Sequence, residues 1–211
     1  MIKNIIFDFG DIFINLDKEA IDKNLKNIGI ESLPENMLLN CKTFETGDIS
    51  TENFINSFVE QYHSKISGQN KNEKSVEFVR IWNSILLDFP IQRLVFLKEL
   101  AKSKKYRLFL LSNTNDLHIS WIKNDWGSSL YNEFKNCFEK FYLSHEINLR
   151  KPNANIYQFV LNNNKLKAEE TLFIDDTKEN TEIAKALNIH VWNLKPKEED
   201  ITELFTKNHL S

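Results

Sequence analysis

The chain opens on a short, largely apolar run, Ile2–Phe7, that leads directly to an acidic residue, Asp8. Apolar runs of this length are typical of strands in parallel sheets, because helices cover both faces of such a sheet. A carboxylate at the end of a buried strand is costly unless something compensates its charge. The pattern therefore predicts a first strand over Ile2–Phe7 and a partner for Asp8 elsewhere in the chain.

Between this strand and Pro90, apolar residues recur at the three- and four-residue spacing of helices. The three sets are Ile21, Leu25 and Ile28; Phe54, Phe58 and Tyr62; and Val76, Val79, Trp82 and Leu86. Asp17 and Ser50 precede the first two sets and are expected as their caps, and Gly29 is expected to end the first helix. The polar segment 64–74 predicts a loop, and Asp88-Phe89-Pro90 breaks the pattern.

After Pro90, helical and strand patterns alternate. The predicted strands are Arg107–Leu111, Phe138–Leu143, Thr171–Ile174 and His190–Trp192, and the predicted helices contain Leu94, Leu97 and Leu100; Ile156, Phe159 and Val160; and Ile183, Ala184 and Leu187. This alternation predicts an α/β fold with a doubly wound, Rossmann-like parallel sheet. We expect residues 1–15 and 90–211 to form this core, with residues 16–89 inserted as a helical cap beside Asp8.

Composition narrows the possible partners. The 211 residues are 41% hydrophobic with a formal net charge of −3, which argues against a nucleic-acid partner. Cys41 and Cys137 are far apart and form no metal-binding spacing, as expected of thiols in a reducing cytoplasm. Without an apolar run of about 18 residues or a signal-peptide pattern, we expect a cytoplasmic protein with no membrane partner. The last residues, His209-Leu210-Ser211, are expected to fray.

Polar residues follow several predicted strands at the end where ligands bind in such sheets. They are Asp8, Ser112 with Asn113, and the pair Asp175-Asp176, joined by Lys151 from a loop before Pro152. Converging carboxylates repel each other unless a cation neutralises them, and oxygen ligands beside an anionic substrate suit Mg²⁺. The set predicts chemistry on a phosphate group, with Asp8 as nucleophile.

Each residue also has a more ordinary interpretation. Asp8 could cap a turn, and Ser112 with Asn113 could serve only as a helix cap. Lys151 could be a surface lysine, although Pro152 favours an extended backbone that directs Lys151 from its loop toward the following helix. The combination, rather than any one residue, favours a phosphate site.

The order of these residues resembles the motifs of the haloacid dehalogenase-like (HAD) hydrolase superfamily, over nearly the whole chain. Within it, the chain is similar to the bacterial branch that includes alpha-D-glucose-1-phosphate phosphatase. The segments that carry this similarity are Phe44-Glu45-Thr46-Gly47-Asp48-Ile49-Ser50, Leu111-Ser112-Asn113-Thr114-Asn115, Tyr142-Leu143-Ser144, Arg150-Lys151-Pro152 and Ile156-Tyr157.

The resemblance implies a phosphatase with an aspartyl-phosphate on Asp8. It implies that Ser112 and Asn113 hold the phosphoryl oxygens and that Lys151 bridges nucleophile and phosphate. Magnesium would be bound by Asp8, Asp176 and the Gly10 carbonyl, with Asp175 beside Asp176 or bound through water, and Asn180 would hydrogen-bond the acidic loop. The substrate is expected to be a small sugar phosphate such as glucose 1-phosphate, and the protein a monomer or homodimer.

Two positions depart from the superfamily pattern. Most of its phosphatases carry an acid–base aspartate two residues after the nucleophile, where this chain has Gly10. A positioned acid–base contributes typically 10²–10⁴-fold, so we expect slow turnover or a good leaving group, such as an anomeric phosphate. Asp11 follows, where related chains have a small or neutral residue; a displaced acid, a repulsive charge and a turn cap are all open.

Substrate choice is expected to lie with the cap. Glu45 is a candidate acceptor for sugar hydroxyls, whereas Trp82 and His118 fit core positions better than substrate contacts. Two other functions stay open: a phosphosugar- or phosphoprotein-binding module without turnover, and a 2-haloacid dehalogenase. The Asp175-Asp176 pair argues against the dehalogenase, because displacement at carbon needs no metal. A phosphoreceiver domain is rejected, because its acidic pair comes before its lysine.

Overall fold

The sheet consists of five parallel strands in the order β3-β2-β1-β4-β5. In this computed structural model, which describes residues 1–207, the strands are β1 (Asn4–Phe7), β2 (Arg107–Ser112), β3 (Lys140–Leu143), β4 (Thr171–Asp175) and β5 (His190–Asn193). Each predicted strand is present, with shifts of one or two residues at some ends. The α/β fold with a parallel, Rossmann-like sheet is confirmed; the expectation for 209–211 lies outside the described residues.

The register of the three central strands brings their carboxyl ends level. Phe7 of β1 pairs with Leu110 of β2 and with Ile174 of β4. The N–H group of Asp8 donates to the Ile174 carbonyl at 2.8 Å, which fixes Asp8 beside the end of β4. Polar residues that follow these strands therefore meet at one edge of the sheet.

Helices cover both faces of the sheet and fill the segment after β1. They are α1 (Ala20–Asn27), α2 (Glu35–Glu45), α3 (Thr51–Gln61), α4 (Lys71–Asn83), α5 (Ile91–Ser103), α6 (Asp116–Lys135), α7 (Ser144–Ile147), α8 (Ala154–Asn164) and α9 (Lys178–Ala186). Short 3₁₀ turns lie at Ala168–Glu170 and Ile201–Glu203. Across residues 1–207, no helix combines the length and the apolar character that a membrane span requires.

Alternate residues of the strands belong to different buried clusters. Ile5 and Phe7 pack with α5 and α6, whereas Ile6 packs with α8 and α9. This alternation explains the nearly continuous apolar character of the strands, because neither face of the sheet meets water. Aromatic rings fill much of the first cluster: Phe134, for example, stacks on Phe9 with ring centroids 5.2 Å apart.

Helices α1 to α4 bury apolar residues of their own. The largest of their clusters contains Phe44, Phe54, Phe58, Phe78 and Trp82, with Leu117 of α6 at its edge. Trp82 is only 6% exposed and packs edge-on against Phe54 at 4.8 Å, so the expected core position is confirmed. A separate cluster of this kind is what an inserted cap would require.

Several expected boundaries differ from the structure. Asp17 does not cap α1, which begins at Ala20; its carboxylate instead accepts the N–H group of Glu19 at 3.1 Å, within the preceding turn. Ser50 does cap α3, accepting the N–H group of Asn53 at 3.2 Å. The loop over 64–74 is shorter than predicted, because Asn70 caps α4 and the polar residues 71–74 form its first turn.

Three helices have no counterpart among the predictions: α2, α6 and the one-turn helix α7. In α2 the apolar and polar residues are mixed, and only Met37 and Phe44 are buried. The long helix α6 is interrupted by Gly127, whose φ of 73° and ψ of 156° are non-helical. The interruption shifts the helical phase along α6, which blurs the apolar period on which a prediction depends.

The turn after α2 fits closely against α7. Ser144 donates its hydroxyl to the Glu45 carbonyl at 2.6 Å, and the Asn148 side chain donates to the Thr46 carbonyl at 2.8 Å. Gly47 has a φ of +72°, and a Cβ there would lie 2.1 Å from the His145 carbonyl oxygen. Gly47 therefore permits both the turn and its close approach to α7.

Replacing Gly47 tests this fit, with Gly29 as the matched control. Gly29 has a similar φ of +79°, but a Cβ there would meet nothing closer than the flexible end of Lys65 at 3.8 Å. We expect Gly29→Ala to cost about 1–2 kcal/mol of unfolding free energy, from the backbone conformation alone. Gly47→Ala should cost about 1–3 kcal/mol more, because the new methyl group overlaps a carbonyl. Equal losses in urea unfolding would contradict the close fit.

Candidate active site

The centre of the site is the buried ammonium group of Lys151. Its Nζ lies 2.6 Å from an oxygen of Asp8 and 2.6 Å from an oxygen of Asp175. Lys151 is 1% exposed, Asp175 is 0% exposed and Asp8 is 8% exposed. A buried charge needs such partners, because its desolvation is otherwise uncompensated. Lys151 is thus no surface lysine: it joins the ends of β1 and β4.

Asn113 holds the backbone of Lys151 in place. Its side-chain amide donates to the Lys151 carbonyl at 2.8 Å, and its side-chain oxygen accepts the Lys151 N–H group at 2.8 Å. Both polar atoms of the Asn113 side chain are therefore used on Lys151. The amide group carries a second hydrogen, so these two bonds do not use all the donors that the Asn113 side chain offers. The following Lys151–Pro152 peptide bond is cis.

Asp175 is surrounded by hydrogen-bond donors. The Asn180 amide lies 3.0 and 3.1 Å from its two oxygens, and the Thr177 N–H group donates to it at 2.8 Å. The expected contact from Asn180 to the acidic loop is therefore present. With both oxygens occupied by donors, Asp175 is suited to hold Lys151 and the loop rather than to bind a metal directly.

Asp176 is more accessible and has a different partner. It forms an ion pair with Lys18, from the segment that leads to α1, and Lys18 also lies 3.1 Å from Asp11. The Asn193 side chain supports the Asp175 and Asp176 carbonyls at 3.2 and 2.9 Å. Burial raises the pKa of the Asp176 carboxyl group, whereas the contact with Lys18 lowers it.

Three carboxylates converge at this edge of the sheet. Asp8, Asp175 and Asp176 each offer one oxygen within 4.8 Å of the others. The pKa of Asp8 is raised from 3.8 to about 7, chiefly by burial and also by Asp175 and Asp176, while Lys151 opposes the rise. Two lysines, Lys151 and Lys18, thus face four carboxyl groups, those of Asp8, Asp11, Asp175 and Asp176. An all-oxygen cluster with excess negative charge fits a hard divalent cation such as Mg²⁺.

The Leu16 side chain packs close to position 10, the usual place of the acid–base aspartate. A Cβ on Gly10 would lie 2.6 Å from the Leu16 Cδ1 atom. Asp11 does not replace that group: with φ at +56°, its carboxylate accepts the Leu16 N–H group at 3.0 Å and faces Lys18. Of the three possibilities for Asp11, the geometry supports the turn cap.

Ser112 ends β2 and does not cap the next helix. Asn115 is the cap of α6, since its side chain accepts the His118 N–H group at 3.1 Å. Ser112 and Gly10 instead line a small cavity of about 110 Å³ beneath the turn after α2, together with Glu45, Asn113 and His118. Asp8, Asp176 and Lys151 line an adjoining, more open cavity of about 330 Å³, which Asn113 and Gly10 share.

Glu45 reaches the site in an ion pair with Arg150. The Arg150 Nη2 atom lies 2.8 Å from the Glu45 carboxylate, and both side chains are 28% exposed. Burial raises the pKa of Glu45, and Arg150 opposes the rise. Because Arg150 immediately precedes Lys151, the pair connects the turn after α2 to the lysine loop.

His118 is held as a neutral structural side chain. Its Nδ1 lies 2.9 Å from the Asn83 side-chain oxygen, and its ring stacks on Trp82 at 5.8 Å. Burial, with a smaller effect from His145, lowers the pKa of His118 to about 3. These contacts join α4 to α6 and favour the structural interpretation of both aromatic residues, although His118 also borders the small cavity.

Sequence reasoning missed Lys18, the positioning roles of Asn113 and Asn193, and the partner of Glu45. Arg150 was identified only as part of a motif. Lys18 stands among the many dispersed charged residues of the chain, so no pattern distinguished it. A side-chain contact between residues 158 positions apart leaves no periodic signal in a single sequence.

Comparison with known proteins agrees with this geometry. The model of the haloacid dehalogenase-like hydrolase family matches residues 5–194. The chain therefore belongs to this family of hydrolases. The resemblance to the HAD superfamily is thus confirmed, while the finer resemblance to the alpha-D-glucose-1-phosphate phosphatase branch stays a prediction.

Individual relatives cover nearly the whole chain. D-ribitol-5-phosphate phosphatase of Bacteroides thetaiotaomicron is 26% identical over 193 residues, 91% of each protein. A HAD-family enzyme from the same organism, solved as a magnesium complex, is 32% identical with a TM-score of 0.81 over 97% of this chain and 98% of that one. A predicted HAD-like hydrolase from Porphyromonas gingivalis is 28% identical with a TM-score of 0.80, over 98% and 97%.

The raised pKa of Asp8 predicts a pH-dependent stability in metal-free protein. Between about pH 4 and 7 the folded protein keeps the Asp8 proton that the unfolded chain loses, so wild-type stability falls as pH rises. Asp8→Asn lacks this titration, and its stability relative to wild type should rise by about 2 kcal/mol from pH ~5 to ~8.

Urea unfolding in EDTA at both pH values measures this difference. Asp22→Asn serves as the control, because Asp22 is an exposed carboxylate on α1. Its stability relative to wild type should be the same at the two pH values. An Asp8→Asn difference that is also constant would contradict the raised pKa.

Proposed function

We propose that this protein is a magnesium-dependent phosphatase that hydrolyses small sugar or polyol phosphates through an aspartyl-phosphate on Asp8. The observation that carries the proposal is the Lys151 ammonium group, 2.6 Å from both Asp8 and Asp175, at the strand edge where Asp176 also lies. Phosphate chemistry requires a nucleophile and surrounding positive charge in this arrangement.

Asp8 acts as the nucleophile in this proposal. Its carboxylate oxygen attacks phosphorus, the bond from phosphorus to the substrate oxygen breaks, and the leaving oxygen takes up a proton from solvent water. Water then attacks the aspartyl-phosphate, which releases inorganic phosphate and restores the carboxylate. Lys151 stabilises charge on Asp8 and on the phosphoryl group, and Ser112 and Asn113 bind the phosphoryl oxygens.

Asp8, Asp176 and the Gly10 carbonyl are the proposed magnesium ligands. Gly10 and Asp176 line the same open cavity as Asp8. Bound there, Mg²⁺ would shield the charge between the carboxylate and the phosphate. Asp175 belongs to the site through Lys151 and through its neighbour Asp176. Support comes also from a solved relative, 31% identical, that holds magnesium and inorganic phosphate.

The substrate's leaving group has to depart without an aspartate at position 10. In glucose 1-phosphate the leaving group is the anomeric oxygen of glucose, which needs less help from an acid than the oxygen of an ordinary alcohol. In ribitol 5-phosphate, the substrate in the name of the 26% identical relative, the leaving group is a primary alcohol. Comparing the two substrates therefore measures how much the missing group matters in this chain.

Residues 16–89 are proposed to act as a cap that selects the substrate. The small cavity beneath the turn after α2 mixes apolar walls with Glu45 and His118. Its volume of about 110 Å³ favours a compact leaving group over a large one. Glu45, which Arg150 holds in an ion pair, is proposed to accept hydrogen bonds from substrate hydroxyls. The expected cytoplasmic location and the monomer or homodimer state stay predictions.

A second candidate is a phosphosugar-binding protein without turnover. The observation that favours it is the glycine at position 10, which offers no acid–base group and lies close to the Leu16 side chain. The carboxylate cluster favours the phosphatase, because it supplies both the nucleophile and a metal site. The same cluster argues against a 2-haloacid dehalogenase, whose displacement at carbon requires no metal.

Phosphate release from a panel of sugar and polyol phosphates tests the function. The panel includes glucose 1-phosphate and ribitol 5-phosphate, each with Mg²⁺ or with EDTA. We expect magnesium-dependent release that falls by at least about 10³-fold in Asp8→Asn, because the nucleophile is lost. Among hexose phosphates, the anomeric phosphate should react faster than glucose 6-phosphate.

The control is Asp22→Asn, which should retain the wild-type rate. Full activity in EDTA, or an unchanged rate in Asp8→Asn, would contradict the proposed chemistry. Binding of these compounds without any release of phosphate would favour the binding protein.

A further inference from the structure

Lys18 is a second cation of the site, and it does not belong to the strand ends that supply the carboxylates. It lies in the segment between β1 and α1, two residues before α1 begins. Its ammonium group is paired with Asp176 and lies 3.1 Å from an oxygen of Asp11. The Asp176 and Asp11 side chains are 7% and 11% exposed, whereas the Lys18 side chain is 52% exposed.

The two lysines divide the negative charge of the site between them. Lys151 contacts Asp8 and Asp175, and Lys18 contacts Asp176 and Asp11. Lys151 is 1% exposed and fixed through its backbone by Asn113. Lys18 has a flexible stem with one side toward water, so its head group can leave the carboxylates at little cost.

We propose that Lys18 is a tethered cation that competes with magnesium for Asp176, so that Lys18 weakens metal binding and supports the acidic loop when metal is absent. This inference rests on one part of the proposed function, the position of the magnesium site at Asp176. It assigns a role in metal affinity to a residue that belongs to none of the catalytic motifs.

The direction of the effect follows from charge. A carboxylate oxygen that accepts an ammonium group is a poorer ligand, because the ammonium group must leave or share the carboxylate when a divalent cation binds. The ammonium charge also repels that cation at short range. Half-exposed pairs are weak, so removing the lysine should change metal affinity by about threefold to tenfold rather than by orders of magnitude.

The experiment compares Mg²⁺ binding by calorimetry in wild type, Lys18→Met, Lys18→Arg and Lys23→Met. Lys18→Met removes the charge and keeps most of the side-chain length. Lys18→Arg keeps the charge. Lys23 is an exposed lysine on α1, so Lys23→Met removes one nearby charge without any contact at the site.

Lys18→Met is expected to bind Mg²⁺ about threefold to tenfold more tightly. Lys18→Arg and Lys23→Met should stay within about twofold of wild type. Melting temperatures give a second readout: Lys18→Met should be less stable than wild type in EDTA, because Asp11 and Asp176 lose their partner, and should gain more stability from a given concentration of Mg²⁺.

Equal or weaker Mg²⁺ affinity in Lys18→Met, with binding retained in wild type, would overturn the proposal for Lys18 and leave the metal site intact. Equal tightening in Lys23→Met would overturn it as well, because the effect would then come from net charge. Wild-type protein that binds no Mg²⁺ would overturn the metal site itself, and both proposals with it.

Discussion

The contact on which the rest of the site depends is that of the Lys151 ammonium group with Asp8 and Asp175. It is buried, so it is stable only while both carboxylates are held at the correct distance. The strand register supplies that distance by setting the ends of β1 and β4 side by side. Asn113 fixes the lysine backbone, and Asn180 with Thr177 fixes Asp175.

This constraint explains why residues distant in sequence act together. Asp8 is supplied by the first strand, Lys151 by a loop before α8 and Asp175 by β4, and parallel strands bring them to one edge. The remaining charge on Asp8 and Asp176 is what makes a divalent cation suitable there. Fold, charge balance and chemistry thus depend on the same few contacts.

Much of the fold could be predicted from the sequence because the strands are buried on both faces. Strand positions, the parallel sheet and the grouping of Asp8, Lys151 and Asp175 follow from apolar runs and from the rule that ligands lie at strand ends. Helices α2 and α6 could not be found in this way. The apolar period is weak in α2 and interrupted at Gly127 in α6.

The contacts between side chains could not be predicted from the sequence. Asn113 was expected to hold a phosphate, and the structure adds a second role, because its side chain also binds the Lys151 backbone. Lys18 carried no signal, because its partners Asp11 and Asp176 become neighbours only through the fold. The role of Asp11 as a turn cap likewise depends on a backbone conformation, its positive φ, which the sequence does not reveal.

The central claim is that Asp8 carries the phosphoryl group during the reaction. The most direct test is a single turnover with a substrate labelled on its phosphate, quenched in acid, followed by peptide mapping. The account predicts a transient, acid-stable phosphoryl group on the peptide that contains Asp8, formed before inorganic phosphate is released. Phosphate release with no label on that peptide, or with label on a different residue, would contradict it.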